Sequence, residues 1–202
     1  MFYEPASGHG LPHDPFKAIV SPRPIGWIST MSRDGEVNLA PYSFFNAFST
    51  HPLLVWFSSE GEKDSASFAR ETGEFVVNIV GRDLIEQMNK SAVDAPRGVS
   101  EFGYAGLTAS PSRLVAPPRV AEAPAALECK VTEILRPKAL DGRDAGVFVV
   151  TGEVVGVHID DSCLKDGLFD AVKAGNVARL GYMDYTSVDA IFSMRRPRWG
   201  KD

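Results

Sequence analysis

Short runs of apolar and β-branched residues recur along the chain, and most of them end at glycine or proline. Pro24-Ile25-Gly26-Trp27-Ile28-Ser29-Thr30-Met31 is followed by Arg33-Asp34-Gly35, so the pattern predicts a strand and then a tight hairpin turn. Residues 43–48 and 53–58 read as two more strands, parted at Thr50-His51-Pro52, where proline removes a donor and ends the pairing. Asp64 is the expected N-cap of a helix of about two turns that runs to Thr72, with Gly73 supplying the left-handed residue after it. Residues 74–80 return to strand. Leu84, Ile85 and Met88 then share one helical face, which predicts a second helix ending before Pro96.

Periodicity fades over residues 94–125, where several prolines predict a long irregular connection with one short strand at most. Residues 127–132 alternate apolar and polar with period two, and residues 148–159 form a longer β-branched run. The loop Asp141-Gly142-Arg143-Asp144-Ala145-Gly146 between them predicts an antiparallel hairpin. Ala190-Ile191-Phe192-Ser193-Met194 is the expected last strand.

Composition narrows the class. The chain has 202 residues, 44% hydrophobic and 23% charged, enough for one domain with a substantial core and unlike disordered, collagen-like or coiled-coil sequences. With no internal repeat, the expected organisation is an N-terminal arm over 1–14, one domain over 15–196 with six or more strands, and a tail over 197–202. Twenty-one basic against 26 acidic residues give a net charge of −5, so no overall positive field favours nucleic acid or anionic lipid. The polar start of the chain has neither a basic n-region nor an apolar h-region, and no run approaches the ~18 apolar residues of a membrane span. Cys129 and Cys163 carry no ligand spacing and make no disulfide framework, and a reducing cytoplasm is the expected location.

The common catalytic signatures are missing. Gly8-His9-Gly10 lies in the polar arm with no strand before it, and the chain has no Walker A loop, nucleophile elbow or HExxH pair. His158 near Asp160, Asp161 and Cys163 reads as a solvated strand end, not a metal or nucleophile cluster. No residue is assigned to acid–base or nucleophilic catalysis.

Four ordered segments carry the remaining signal: Arg23-Pro24-Ile25-Gly26-Trp27-Ile28-Ser29-Thr30, Asn38-Leu39-Ala40-Pro41-Tyr42-Ser43-Phe44-Phe45-Asn46, Lys63-Asp64-Ser65 and Gly73-Glu74-Phe75-Val76-Val77-Asn78. Together they resemble the flavin reductase-like family of FMN-binding split barrels. Gly152-Glu153-Val154-Val155-Gly156-Val157-His158 and Arg179-Leu180-Gly181 extend the resemblance, although Tyr182-Met183 departs from the glycine usual there. The resemblance implies a mainly β fold, a Greek-key-type antiparallel barrel with short helices. It also implies that FMN is held by Trp27, Ser29, Thr30, residues 38–46, Lys63, Asp64, Ser65 and Arg179.

Physical chemistry supports parts of that set independently. Lys63-Asp64-Ser65 opens a predicted helix, where free N–H groups, the helix dipole and one cation favour a phosphate. The segment from Asn38 to Asn46 is an irregular strand interrupted by Pro41 and dotted with polar groups, suited to the backbone and amide contacts that a flavin needs. The implied activity is an oxidoreductase in which NADH or NADPH passes hydride to flavin, and the flavin passes electrons to free flavin or a partner monooxygenase. The family further implies a homodimer. A flavoredoxin-like electron carrier and a ligand-binding split barrel without redox chemistry are the competing readings.

Overall fold

The computed structural model describes residues 1–96 and 98–200. Seven strands build its main sheet: β1 Gly26–Met31, β2 Val37–Tyr42, β3 Phe45–Thr50, β4 Leu53–Glu60, β5 Glu74–Ile79, β6 Ala125–Leu135 and β7 Val147–Ile159. Their order is β2-β1-β5-β6-β7-β4-β3, and every neighbouring pair is antiparallel. The hairpins predicted at Asp34-Gly35 and over residues 141–146 are both present, as β1–β2 and β6–β7.

That order forces the sheet to curl. β2 and β3 are its two edges, yet only Ser43 and Phe44 connect Tyr42 to Phe45. At about 3.5 Å of reach per residue, the end of β2 and the start of β3 are held within roughly 11 Å of one another. The result is a curled half-barrel sheet, split along the seam between β2 and β3. The mainly β split-barrel expectation is met.

Period-two alternation sends side chains to two cores. Ile28, Phe45, Val55, Phe57, Phe75, Val77, Cys129 and Val150 fill the barrel together with Ala66 and Ala69 of the helix over 64–72. On the outer face Trp27 and Leu39 pack with Val80, Leu84, Met88, Phe102, Val120 and Val177. The described residues form five short α-helices: α1 spans Phe16–Ile19, α2 Asp64–Thr72, α3 Ile85–Lys90, α4 Glu101–Ala105 and α5 Ala171–Ala174. Gly73 ends α2 at φ 75°, the left-handed position expected of it.

Several boundaries differ from the sequence expectation. Lys63, not Asp64, holds the N-cap position of α2, and no side chain caps that helix. The strand expected over 43–48 begins at Phe45, because Ser43 and Phe44 make the turn across the seam. Within 94–125 the described residues include α4 and a small ladder of Ala109–Ser110 with Arg119–Val120. α4 is too short to show a helical period in the sequence. No strand forms over 190–194, where Ile191, Phe192 and Met194 are exposed; Tyr185–Ser187 pairs with Val177–Arg179 instead. Of the tail expected over 197–202, residues 201 and 202 lie outside the described residues.

His158 also differs from expectation. It is no solvated strand end: its Nε2 lies 2.5 Å from Oε1 of Glu128, a carboxylate buried completely on β6. The same carboxylate accepts the N–H groups of Arg113 and Leu114 at 2.8 and 2.6 Å, so it pins the 112–120 loop to the sheet. Burial alone would raise the Glu128 pKa, but the bonds from His158, Arg113 and Leu114 outweigh it and hold the group below the ordinary glutamate range. A carboxyl whose pKa is lower folded than unfolded stabilises above its unfolded pKa and loses that contribution as pH falls through the folded one. Glu128→Gln is therefore expected to be destabilised at pH 7, with the gap to wild type shrinking below the ordinary glutamate range. Urea melts at a series of pH values check this, and a gap constant from neutral pH into acid would refute it.

Candidate functional site at the seam of the barrel

The seam brings three segments together. β2 is an edge strand, so one row of its backbone groups lacks a strand partner, and Pro41 sits on it where a missing N–H costs no ladder bond. Opposite it, the first turn of α2 presents N–H groups that the helix cannot satisfy and that no side chain caps. The third wall is residues 91–95. Between them lies a cavity of about 310 Å³ lined by Asn38, Ala40, Pro41, Tyr42, Lys63, Asp64, Ser65 and Glu101, besides that third wall. Such a volume falls in the range of small-molecule sites, ~300–1,000 Å³.

Hydrogen bonds fix this lining. Asn38 Nδ2 donates to Ser65 Oγ at 2.7 Å, which fixes the Ser65 side chain in the wall of the cavity. Tyr42 packs against Phe57, with ring centroids 5.0 Å apart. Burial pushes its phenol pKa up, against the opposing pull of hydrogen bonds with Ser65 and Ser59. Glu101 of α4 accepts the Leu39 N–H at 2.9 Å, and burial raises its carboxyl above the ordinary range despite that bond. Lys63 Nζ stands 3.8 Å from Asp94 Oδ1, an exposed pair of little strength.

The other residues singled out from the sequence are distributed more widely. Trp27 is fully buried in the outer core, where its Nε1–H donates to Ser91 Oγ at 2.8 Å. Ser29 is also fully buried and donates to the Pro118 carbonyl. Thr30 is buried with its hydroxyl unpartnered. Leu39 and Phe45 are core residues. Asn46 is exposed on β3, its Oδ1 accepting the Ala47 N–H. Phe44 lies at the turn, its ring centroid 5.8 Å from both Lys17 Nζ and the Arg23 guanidinium carbon.

A second cavity, of about 270 Å³, shares Pro41 and Ala92 with the first and continues past Ser43 to Arg179. It is also lined by Lys17, Arg23, Tyr182 and Tyr185. Sequence reasoning reached Ser43 and Arg179 but gave no role to Glu101, Lys17 or Arg23. Arg23 stood within the Arg-Pro-Ile segment, and its position at the start of a strand was the one available signal. A larger cavity, of about 500 Å³, lies against β6 and β7 beside Glu128 and His158, and none of the residues singled out for the cofactor lines it.

Fold and site thus define a split barrel with small-molecule cavities along its open seam. The chain belongs to the family of the flavin reductase like domain, whose profile matches residues 20–177. An uncharacterized protein of Halalkalibacterium halodurans is 38% identical over 183 residues, covering 88% of this chain and 87% of that one. Nitrilotriacetate monooxygenase component B from Bacillus cereus superposes with a TM-score of 0.86 at 26% identity, covering 96% of this chain and 98% of that one. The flavoredoxin of Desulfovibrio vulgaris (Miyazaki F) shares the fold, with a TM-score of 0.75 at 22% identity over 90% of this chain and 93% of that one. Among the described residues, no helix is long and apolar enough to cross a membrane.

Proposed function

We propose that the protein is an FMN-dependent flavin reductase, a cytoplasmic homodimer that takes electrons from NADH or NADPH. The observation that carries the reading is the meeting of edge strand β2 and the uncapped start of α2 on one cavity. The lining fits the cofactor: first-turn N–H groups, Lys63 and the Ser65 hydroxyl suit its phosphate, and the backbone carbonyls on the open edge of β2 suit the N–H of its ring. Asn38 holds Ser65 in place. Asp64, Ala40, Pro41 and Tyr42 line the same space, and Ser43 continues it toward Arg179.

FMN held by Lys63, Ser65 and the edge of β2 would supply a two-electron acceptor for hydride from NADH or NADPH and a two-electron donor to free flavin or a partner monooxygenase. The last acceptor is favoured by the likeness to a protein named as a monooxygenase component B. The chain's own residues bind, orient and leave one face of the cavity open. Such a transfer depends on close, aligned contact more than on a general base.

The visible spectrum of the purified protein, taken before and after anaerobic NADH or NADPH, tests the proposal. A flavin spectrum that bleaches on addition of the nucleotide is the expected result. Bound flavin that does not bleach would replace the reductase with a flavoredoxin-like carrier. Colourless protein that leaves FMN fluorescence unquenched would end both.

A further inference from the structure

The second seam cavity concentrates positive charge in a chain whose net charge is −5. Lys17, Arg23 and Arg179 all line it, and the described residues of its lining include no aspartate or glutamate. Arg23 is 7% exposed. Its guanidinium donates to three backbone carbonyls, of Lys17, Val20 and Leu180, and its Nε has no partner at all. Carbonyls satisfy N–H groups but do not neutralise a cation, and no carboxylate among the described residues pairs with any of the three. Desolvation, and then the charge of Arg179, both press the Arg23 pKa down. A buried charge without a counter-ion is costly, and an incoming anion removes that cost.

Arg179 is held in position by stacking on Tyr185, its guanidinium carbon 4.3 Å from the ring centroid, and by donating to the Tyr182 carbonyl. The Ser43 hydroxyl adds a neutral donor. Gly181, next to Leu180 in the wall, has no room for a Cβ, which would come within 2.3 Å of the Ala18 Cβ. The 16–20 segment that carries Lys17 is thereby packed tightly against the strand end that carries Arg179.

We propose that this three-cation cavity is a diphosphate subsite for the electron donor, next to the flavin cavity and separate from the seat of the flavin phosphate at α2. The inference rests on the flavin reading given above. It assigns the diphosphate of a reduced pyridine dinucleotide to Lys17, Arg23 and Arg179, bidentate and charge-assisted contacts for which guanidinium is well shaped. The shared wall at Pro41 and Ala92 would let one donor reach both cavities.

Lys17→Ala is the variant of choice, because the side chain is exposed and makes no hydrogen bond or ion pair among the described residues. Pyrophosphate is titrated calorimetrically into the FMN-loaded full chain, and flavin reduction is followed by anaerobic stopped flow with NADH and with a phosphate-free dihydronicotinamide. The expected result is pyrophosphate binding weakened about fivefold to tenfold in the variant, with a matching rise in the half-saturating NADH concentration. The limiting rate and the phosphate-free donor should be unaffected. Pyrophosphate binding that ignores Lys17 overturns the subsite, whatever the flavin does. A variant that loses FMN affinity but not riboflavin affinity also overturns it, since the cavity would then seat the flavin's own phosphate. Lys17-dependent pyrophosphate binding with no bleaching by any donor would overturn the reductase reading and the donor assignment, leaving an anion site for another ligand.

Discussion

Replacing Phe75 with alanine is expected to lower the free energy of unfolding by about 3–5 kcal/mol, the cost of removing a fully buried aromatic ring and leaving a cavity behind. The ring lies at the middle of the barrel core, edge-on to Phe57 with centroids 5.4 Å apart and planes at 71°. It also rests directly on the backbone of β7. A Cβ added at Gly152 would come 2.5 Å from Phe75 Cε1, so the glycine is what allows the ring to lie there. Gly152 stands at a register shift between β6 and β7, the kind of irregularity at which glycine lets another group approach the backbone closely. Gly152→Ala on its own should therefore cost about 1–3 kcal/mol by overpacking. In the Phe75→Ala background the added methyl enters vacated space, and the two losses should fall well short of their sum. A double-mutant cycle by urea denaturation measures this coupling. Additive losses would show that Phe75 and Gly152 do not share one packing site.

The same pair explains what was legible in the sequence. The segments Gly73-Glu74-Phe75 and Gly152-Glu153 carried family resemblance, but the structure gives Phe75 and Gly152 a packing role. A motif marks constraint and does not distinguish core from cofactor. Trp27 and Ser29 teach the same lesson, since alternation along β1 sends both into the outer layer, beneath Ser91 and Pro118. The strand over residues 127–132 was readable from its period-two alternation, because its two faces meet different surroundings, and that over 148–159 from its length and β-branched composition. α4 and the charged cavity were not. Glu101 reaches Leu39 across 62 residues of sequence and Arg23 reaches Leu180 across 157, and no local pattern encodes contacts formed only when the sheet curls. The seam itself was nearly legible: a proline-interrupted strand followed at once by another apolar run is what a two-residue crossing between sheet edges requires.

Lys63→Ala is expected to weaken FMN binding by about 1–3 kcal/mol, roughly five- to 150-fold, while leaving riboflavin binding within a factor of two. Lys63 sits at the N-cap of α2 without capping it, so its charge and the free N–H groups behind it act on the same point. Local attraction has to overcome Asp64, Asp94 and Glu101, three acidic side chains that line the same cavity. Removing Lys63 deletes one charge-assisted contact and also exposes the phosphate to Asp94, which now stands 3.8 Å from the ammonium. Asp94→Asn should accordingly tighten FMN binding modestly and soften the effect of Lys63→Ala. Fluorescence-quenching titrations of FMN and riboflavin, repeated at low and high salt, separate the contributions, because an exposed cation loses strength as salt rises. Equal losses for both ligands would place the role of Lys63 in the helix or the ring pocket. Unchanged FMN affinity would move the phosphate away from α2, and the cation-ringed cavity along the seam would become its natural seat.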